Sequence, residues 1–158
     1  MKDKTIAAYF EEDHRRLDHL FEMFQQMKSV EPENSKKFFQ KFKEGLERHI
    51  LWEEQILFPI FEQKTGMSGQ GPTVVMCAEH QEIKRLLAEI DDGIRAGNNP
   101  PDNLEQTLLI VLKGHNVKEE EVLYPLIDQS VSIDECEEVL KKTFGNENKN
   151  CSCCGIVE

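Results

Sequence analysis

Apolar residues recur every three or four positions through four long segments of this chain, which is the spacing of one buried helix face. The segments are separated by residues 31–34, 65–72, 97–101 and 130–132, which are rich in the residue types that favour turns. The pattern predicts an all-α fold, an up-down-up-down four-helix bundle. The four seams are Phe10, His14, Leu17, Phe21 and Phe24; Phe39, Phe42, Leu46, His49, Glu53, Ile56 and Ile60; Met76, His80, Ile83, Leu87, Ile90 and Ile94; and Leu104, Leu108, Leu112, His115, Glu119, Val122 and Leu126.

A short fifth helix is predicted after the fourth segment. Ser132 followed three residues later by Glu135 forms a capping box, so the helix should run from Ser132 to about Phe144. The chain is therefore expected to have three parts. These are the bundle in residues 1–130, the short C-terminal helix in residues 131–145, and a flexible Cys-rich tail in residues 146–158.

The two halves of the chain are related by an internal repeat with an offset of 66 residues. At this offset each polar seam residue of the first half falls on the same residue type in the second half. The repeat indicates two similar helical hairpins. The matched pairs include His14 with His80, Leu17 with Ile83, His49 with His115, Glu53 with Glu119, Glu54 with Glu120, Leu57 with Leu123, Phe58 with Tyr124, and Pro59 with Pro125.

The four seam histidines are spaced so that they should lie at one height of the bundle. His14 and His49 are 35 residues apart with the first turn at their midpoint, and His80 and His115 are 35 residues apart with the third turn at theirs. The midpoint of His49 and His80 falls at the second turn. Because residues equidistant from a turn face each other across an up-down bundle, we expect all four side chains in one layer.

Two glutamates join this layer, because Glu53 and Glu119 each follow a histidine by four residues and so share its helix face. Buried imidazole and carboxylate groups need partners, since desolvating them alone is costly. Iron, manganese and zinc accept such donors, and two carboxylates could bridge two ions; the alternative is ordinary packing without a metal. The predicted metal ligands are His14, His49, Glu53, His80, His115 and Glu119.

Residues next to the predicted ligands have several possible roles. Glu54 and Glu120 follow the histidines by five residues and are either solvated charges or alternative ligands at a distorted helix. His19 is expected to face solvent or a boundary position and not to be a ligand. Pro59 and Pro125 should bend or end the second and fourth helices beyond the metal layer, because proline disrupts helical hydrogen bonding.

The chain has 158 residues and a net charge of −11, from 30 acidic and 19 basic residues. This balance argues against nucleic acid and membranes as partners, since both attract basic surfaces. No apolar run reaches the length of about 18 residues that a transmembrane helix needs. The first residues do not resemble a signal peptide, and five cysteines without one predict a cytoplasmic protein with free thiols or metal chemistry.

The cysteines suggest a second, thiol-based site near the C-terminus, formed by Cys151, Cys153 and Cys154. This cluster could bind a soft metal, form a reversible disulfide or pass iron to a partner, or it could be an incidental tail. Cys77 lies one turn before His80 and is expected to be a small buried apolar residue that could also approach the metal. Cys136 is expected to be structural.

The motifs around the six predicted ligands resemble the hemerythrin-like (HHE cation-binding) family over about residues 5 to 128. The resemblance implies a four-helix bundle around two non-haem iron ions with an oxo or carboxylate bridge. Oxygen-carrying members have a further histidine where this chain has Lys84, so the chain is more similar to the subtype of iron-centre repair and stress-linked bacterial proteins. The motifs are Asp13-His14-Arg15-Arg16-Leu17, His49-x-x-x-Glu53-Glu54-x-x-Leu57-Phe58-Pro59, Glu79-His80-x-x-Ile83, and His115-x-x-x-Glu119-Glu120-x-x-Leu123-Tyr124-Pro125.

Three functions are compatible with these observations. The first is a di-iron protein that binds or reacts with O₂, NO or peroxide in oxidative or nitrosative stress or in sensing, with NO or peroxide reduction as its enzymatic form. The second is an iron donor or repair protein for iron–sulfur proteins that uses the Cys tail. The third is a metal-free or zinc-loaded structural bundle.

Overall fold

The computed structural model describes residues 4–98 and 102–145, without the side chain of Asp102. Every regular element in this part of the chain is helical, which confirms the predicted all-α fold. Two five-residue π-helical turns, Glu53–Leu57 and Glu119–Leu123, continue α2 into α3 and α5 into α6. The result is four long helical rods and a short C-terminal helix. The α-helices are α1 (Ile6–Met27), α2 (Pro32–Trp52), α3 (Phe58–Thr65), α4 (Pro72–Arg95), α5 (Asp102–Lys118), α6 (Tyr124–Ser130) and α7 (Ile133–Lys142).

The ends of the rods follow from turn-forming residues that the sequence places there. Pro32 and Pro72 lie in the first turns of α2 and α4, where a missing N–H costs nothing. Gly66 ends α3 in the left-handed conformation at φ 72°, and its N–H bonds the carbonyl of Glu62. Within the described ranges, none of the helices combines the length and the apolar character needed to cross a bilayer.

The core consists of two hydrophobic clusters at different heights of the bundle. One cluster, with Phe21 and Phe42, fills the end near the turn between α1 and α2. The other, with Phe10 and Tyr124, fills the opposite end, where α7 covers it with Cys136. The predicted histidine layer lies between the two clusters, so it is enclosed by apolar side chains on both sides.

The two π-turns shift the buried face by one residue, which corrects part of the predicted seam. Val122 and Leu126 were predicted to be buried, but they are 52% and 40% exposed, whereas Leu123 and Ile127 are almost fully buried. The first half shows the same change, since Ile56 and Ile60 were also predicted on the buried seam but are only partly buried. A π-turn adds one residue to a helical turn, so every side chain after it moves round the helix by about one position.

The prolines of the repeat follow directly after the π-turns. Pro59 and Pro125 do not end their helices, which continue to Thr65 and Ser130. In a regular α-helix the proline ring would clash with the carbonyl four residues earlier. The wider π-turn accommodates the ring, so the distortion expected at these prolines lies just before them.

The start of α7 has the predicted capping box. The Ser132 hydroxyl accepts from the Glu135 N–H, and the Glu135 carboxylate accepts from the Ser132 N–H. We expect Ser132→Ala to lower the unfolding free energy by about 1 kcal/mol, and the melting temperature by about 2–4 °C, because one N–H of the first turn loses its acceptor.

Thermal unfolding followed by circular dichroism measures this effect. Ser29→Ala is the matched control, since Ser29 is exposed in the turn between α1 and α2. Equal melting temperatures for Ser132→Ala and Ser29→Ala would show that the capping box does not stabilise the protein.

Candidate metal centre

The six residues predicted as metal ligands come together in one buried layer. They come from α1, from α2 and its π-turn, from α4, and from α5 and its π-turn. Each is at most 3% exposed, which is unusual for charged and polar side chains. The residues are His14, His49, Glu53, His80, His115 and Glu119.

Each glutamate of the layer contacts one histidine from each half of the chain. An Oε1 oxygen of Glu119 lies 3.3 Å from Nε2 of His14 and 3.2 Å from Nε2 of His115. Similarly, Glu53 Oε1 lies 3.3 Å from Nε2 of His49 and 3.5 Å from Nε2 of His80. The glutamates therefore lie between the two pairs of histidines.

The donor atoms form two adjacent groups that could each hold an ion. In each group one atom per residue lies within 4.8 Å of all the others. Glu119 belongs to both groups, so its two carboxylate oxygens can face two neighbouring ions. The groups are Glu53, His80, His115 and Glu119, and His14, His49 and Glu119.

A second ring of carboxylates contacts the outer nitrogen, Nδ1, of each of the four histidines in the layer. This contact fixes each imidazole so that Nε2 faces the centre of the layer, an arrangement that is common around protein-bound metals. At the 66-residue offset, both residues of each contact fall on the two residues of another contact, so the four contacts form two equivalent pairs. The Nδ1–oxygen distances are 2.8 Å for His49 and Asp13, 3.0 Å for His115 and Glu79, 3.1 Å for His80 and Glu54, and 3.3 Å for His14 and Glu120.

These outer contacts decide the roles of Glu54 and Glu120. Neither is a freely solvated charge, and each contacts the outer nitrogen of a histidine. The sequence analysis gave no role to the acids Asp13 and Glu79. The signal for both was an acid directly before a seam histidine, as in Asp13-His14 and Glu79-His80.

Basic side chains hold three of the four outer carboxylates in place. Arg16 Nε donates to Asp13 at 2.8 Å, Lys118 bonds Glu79, and Lys84 Nζ lies 3.7 Å from Glu54. Glu120 instead lies near the acidic Asp18, and its charge contributes to the raised pKa of Asp18, of which burial is the main cause. The two halves of the repeat therefore differ in their outer electrostatics.

The hydroxyl of Tyr124 lies in the layer beside His14 and His49, where the sequence pattern predicted no functional residue. The hydroxyl oxygen is 3.0 Å from Glu53 Oε2, 3.1 Å from Glu119 Oε1, and 3.2 Å from Nε2 of both His14 and His49. Burial, and then the charges of Glu119 and Glu53, raise the pKa of Tyr124 well above its ordinary value. The 66-residue repeat pairs Tyr124 with Phe58. The replacement of phenylalanine by tyrosine in this pair was the only sign in the sequence of a role for the hydroxyl.

The two glutamates of the layer share a hydrogen bond and compete for charge. Burial, and then the charge of Glu119, raise the pKa of Glu53 well above its ordinary value. Burial also opposes ionisation of Glu119, but hydrogen bonds from Glu53 and two histidines outweigh it and keep the pKa of Glu119 well below its usual range. Without a metal the layer thus favours a neutral Glu53 beside an ionised Glu119.

The equivalent histidines of α1 and α4 differ in charge. Burial lowers the pKa of His14, but hydrogen bonds to Glu119 and Glu120 outweigh burial and raise that pKa to about 9. Burial, and then the positive charge of His115, lower the pKa of His80 to about 4. Without a metal, His14 is therefore charged at neutral pH and His80 is neutral.

The layer fits metal ions because it contains buried polar atoms without a partner. Glu53 Oε1, His80 Nε2 and Glu119 Oε2 are buried and make no hydrogen bond. Such atoms cost about 1–3 kcal/mol each. All three belong to the donor group formed by Glu53, His80, His115 and Glu119, and a cation placed among them would satisfy all three. Nitrogen and carboxylate donors in this ratio suit iron, manganese or zinc.

The cysteines of the described residues lie outside this layer. Cys77 is half-buried and close enough to Glu54 and His80 to form a third donor group with them. Cys136 lies on the buried face of α7 and packs in the second hydrophobic cluster, which suits a structural role. The thiol site predicted at Cys151, Cys153 and Cys154 lies outside the described residues.

Comparison with known proteins identifies the family. The family model described as "Hemerythrin HHE cation binding domain" matches residues 5–127. The chain belongs to the hemerythrin HHE family. Proteins named iron-sulfur cluster repair protein YtfE, from Escherichia coli strain K12 / DH10B and from Shigella boydii serotype 18, are 29% identical to it over 138 residues. Each alignment covers 78% of this chain and 63% of the relative, and no solved structure gives a significant match.

Lys84 is a position at which the resemblance led us to expect a difference from oxygen-carrying members, which would have a histidine there. The Lys84 side chain is 42% exposed, and its Nζ faces the outer carboxylate of Glu54. Lys84 therefore contributes no donor atom to the layer itself.

Proposed function

We propose that this chain binds two non-haem iron ions in the buried layer. His14 and His49 would hold one ion, His80 and His115 would hold the other, and Glu53 and Glu119 would lie between them. The observation that carries the proposal is the set of buried donor atoms without partners, all belonging to this one layer. Membership of a cation-binding family supports the same assignment.

We further propose that the loaded site binds or reacts with O₂, NO or peroxide. Iron in such a site supplies redox chemistry towards small ligands when it is bound. The protein's own contribution is a dry, shaped environment: the Phe10 ring packs edge-on against His49 at 5.2 Å, and Phe58 stacks on His80 at 5.9 Å. Apolar walls favour small uncharged molecules over charged substrates.

A groove beside the layer provides a place for such molecules to approach. It has a volume of about 360 Å³, lies between α1 and α5, and is lined by Phe21, Leu112 and Glu120 among others. Since Glu120 contacts His14 directly, the groove ends one side chain away from the proposed ligands.

Anaerobic loading with ferrous iron, followed by addition of O₂, NO or peroxide, tests this function. A persistent spectral change would support binding or sensing, and repeated consumption of NO or peroxide would support an enzyme. If none of the three reagents changes the spectrum of the loaded protein, the proposal is wrong.

A second proposal, iron donation to iron–sulfur proteins, is supported by the name of the curated relatives. Those proteins are called iron-sulfur cluster repair proteins, and this chain spans 63% of their length. The proposed partner is an iron–sulfur protein that has lost iron. The test is transfer of iron from the loaded chain to an iron-free ferredoxin. Replacing Cys151, Cys153 and Cys154 by serine should slow the transfer without changing the spectrum of the loaded layer if the thiols take part.

Metal analysis distinguishes both proposals from a zinc-loaded or metal-free bundle. Two iron ions per chain after aerobic purification would support the di-iron assignment. Stoichiometric zinc, or a chain that takes up no iron when it is supplied, would favour a structural role.

The outer carboxylates give a prediction about affinity. Glu120→Ala removes the oxygen that contacts Nδ1 of His14, so the imidazole loses its fixed orientation. We expect the ferrous affinity to fall by about 10- to 100-fold, as measured by competition with a coloured chelator.

Glu121→Ala is the matched control. Glu121 lies on the same π-turn and is exposed, so its removal changes the net charge equally without touching a histidine. Equal losses of affinity in the two variants would mean that general electrostatics, rather than orientation of His14, sets the effect.

A further inference from the structure

We propose that Tyr124 is a seventh ligand of the centre, which binds the iron held by His14 and His49 through its hydroxyl oxygen. This inference rests on the proposed di-iron site. It makes the two iron positions chemically different, although the repeat gives them equivalent histidines.

The distances around the Tyr124 oxygen are those of a ligand in an octahedral site. With metal–ligand bonds of about 2.1 Å at right angles, neighbouring ligand atoms are about 3 Å apart, and each ligand has four such neighbours. The hydroxyl oxygen has four neighbours at 3.0–3.2 Å, which are Nε2 of His14, Nε2 of His49, Oε2 of Glu53 and Oε1 of Glu119.

Two of these neighbours are also within ligand–ligand distance of each other, since His14 Nε2 and Glu119 Oε1 are 3.3 Å apart. Glu53 contacts the tyrosine through Oε2, and its other oxygen, Oε1, lies 3.3 Å from His49 Nε2. Each histidine beside the Tyr124 oxygen is therefore paired with one of the two glutamates there.

The backbone holds the hydroxyl in this place. Tyr124 begins α6 directly after the second π-turn, and its N–H bonds the carbonyl of Glu119. Its ring is fully buried and packs against Phe10 at 5.4 Å and His14 at 5.7 Å. The same turn that brings Glu119 into the layer therefore also positions Tyr124.

The equivalent position in the first half of the chain has no donor. Phe58 occupies it, and its ring stacks on His80 with an angle of 6° between the planes. The iron held by His80 and His115 would consequently lack the extra oxygen ligand. Because an anionic oxygen stabilises a higher positive charge, the iron held by His14 and His49 would be oxidised first. The phenolic proton would leave to solvent as the ferric ion binds.

The test uses a vibrational signature that only iron-bound tyrosinate gives. The full chain is loaded with iron and oxidised in air, and resonance Raman spectra are excited in the visible charge-transfer band. The chain has two tyrosines, so Tyr124→Phe and Tyr9→Phe form a matched pair. Tyr9 packs against Phe144 and lies outside the layer.

We expect tyrosinate ring modes in the wild type and in Tyr9→Phe and their complete loss in Tyr124→Phe, with two iron ions retained. Ring-deuterated tyrosine should shift these modes in the wild type, which tests the assignment even if Tyr124→Phe does not fold. Two iron ions without tyrosinate modes in the wild type would overturn the proposal for Tyr124 alone. Fewer than two iron ions in the wild type would overturn the di-iron proposal on which it rests.

Discussion

Glu119→Ala is expected to remove both iron ions, because Glu119 belongs to both donor groups and contacts a histidine in each. Alanine removes the one carboxylate that both donor groups share. The four histidines and Glu53 would then have to hold two adjacent positive charges with a single carboxylate. We expect iron per chain to fall from two to near zero, as measured by metal analysis after anaerobic loading and desalting.

Two further variants make this result specific. His80→Ala removes a donor from only one group, so about one iron ion should remain. Glu121→Ala changes an exposed acid on the same π-turn and should retain both. Circular dichroism of each variant checks that the bundle is folded. Unchanged iron content in a folded Glu119→Ala variant would contradict the assignment of Glu119 as a ligand.

Removing the metal is expected to lower the stability of the bundle strongly. Without ions, the layer keeps buried polar atoms that have no partner, between two apolar clusters. Ligand present at about 1,000 times its dissociation constant adds about 4 kcal/mol to the unfolding free energy. For a chain of this size that is a shift of about 8–16 °C in melting temperature. Calorimetry of the iron-loaded and chelator-treated protein under anaerobic conditions measures the difference.

Glu53→Gln separates the effect of the metal from the effect of the layer itself. Burial and the charge of Glu119 raise the pKa of Glu53 well above its ordinary value when no metal is bound. Because this favours the neutral carboxyl, a neutral amide should change the melting temperature of the metal-free protein little. The same amide is a poor metal ligand and should abolish most of the stabilisation by iron. If Glu53→Gln is stabilised by iron as strongly as the wild type, Glu53 is not a ligand.

The sequence was sufficient to predict the fold and the height of the polar layer. Both follow from spacing: an α-helix rises by a fixed amount per residue, so the distances of His14 and His49 from their turn set their level in the bundle. Burial of four histidines and two glutamates at one level then follows from their positions on apolar seams. Long-range geometry was not needed for this part.

The sequence was insufficient where the helix departs from its regular period. Val122 and Leu126 continue the apolar spacing, yet the π-turn moves them out of the core and brings Leu123 and Ile127 in. A pattern analysis assumes one period along the helix, and a single extra residue in a turn breaks that assumption. The prolines after the turns were the only local sign of it.

The sequence also could not predict which carboxylate contacts each histidine. The outer contact of His49 is with Asp13 on another helix, and that of His14 is with Glu120 more than 100 residues away along the chain. Such pairs depend on how the helices are rotated against each other, which packing of whole faces decides. The acid–histidine dipeptides marked candidates but not their partners.

The sequence by itself therefore determined which histidines and glutamates share the buried layer, because helix rise and repeat spacing are local properties of the chain. Only the tertiary structure decided what those residues contact and that the two halves differ. The hydroxyl of Tyr124 lies among four donors, whereas the equivalent ring of Phe58 stacks on His80. One oxygen atom distinguishes these two side chains in the sequence, and its consequence depends on the groups that packing places around it.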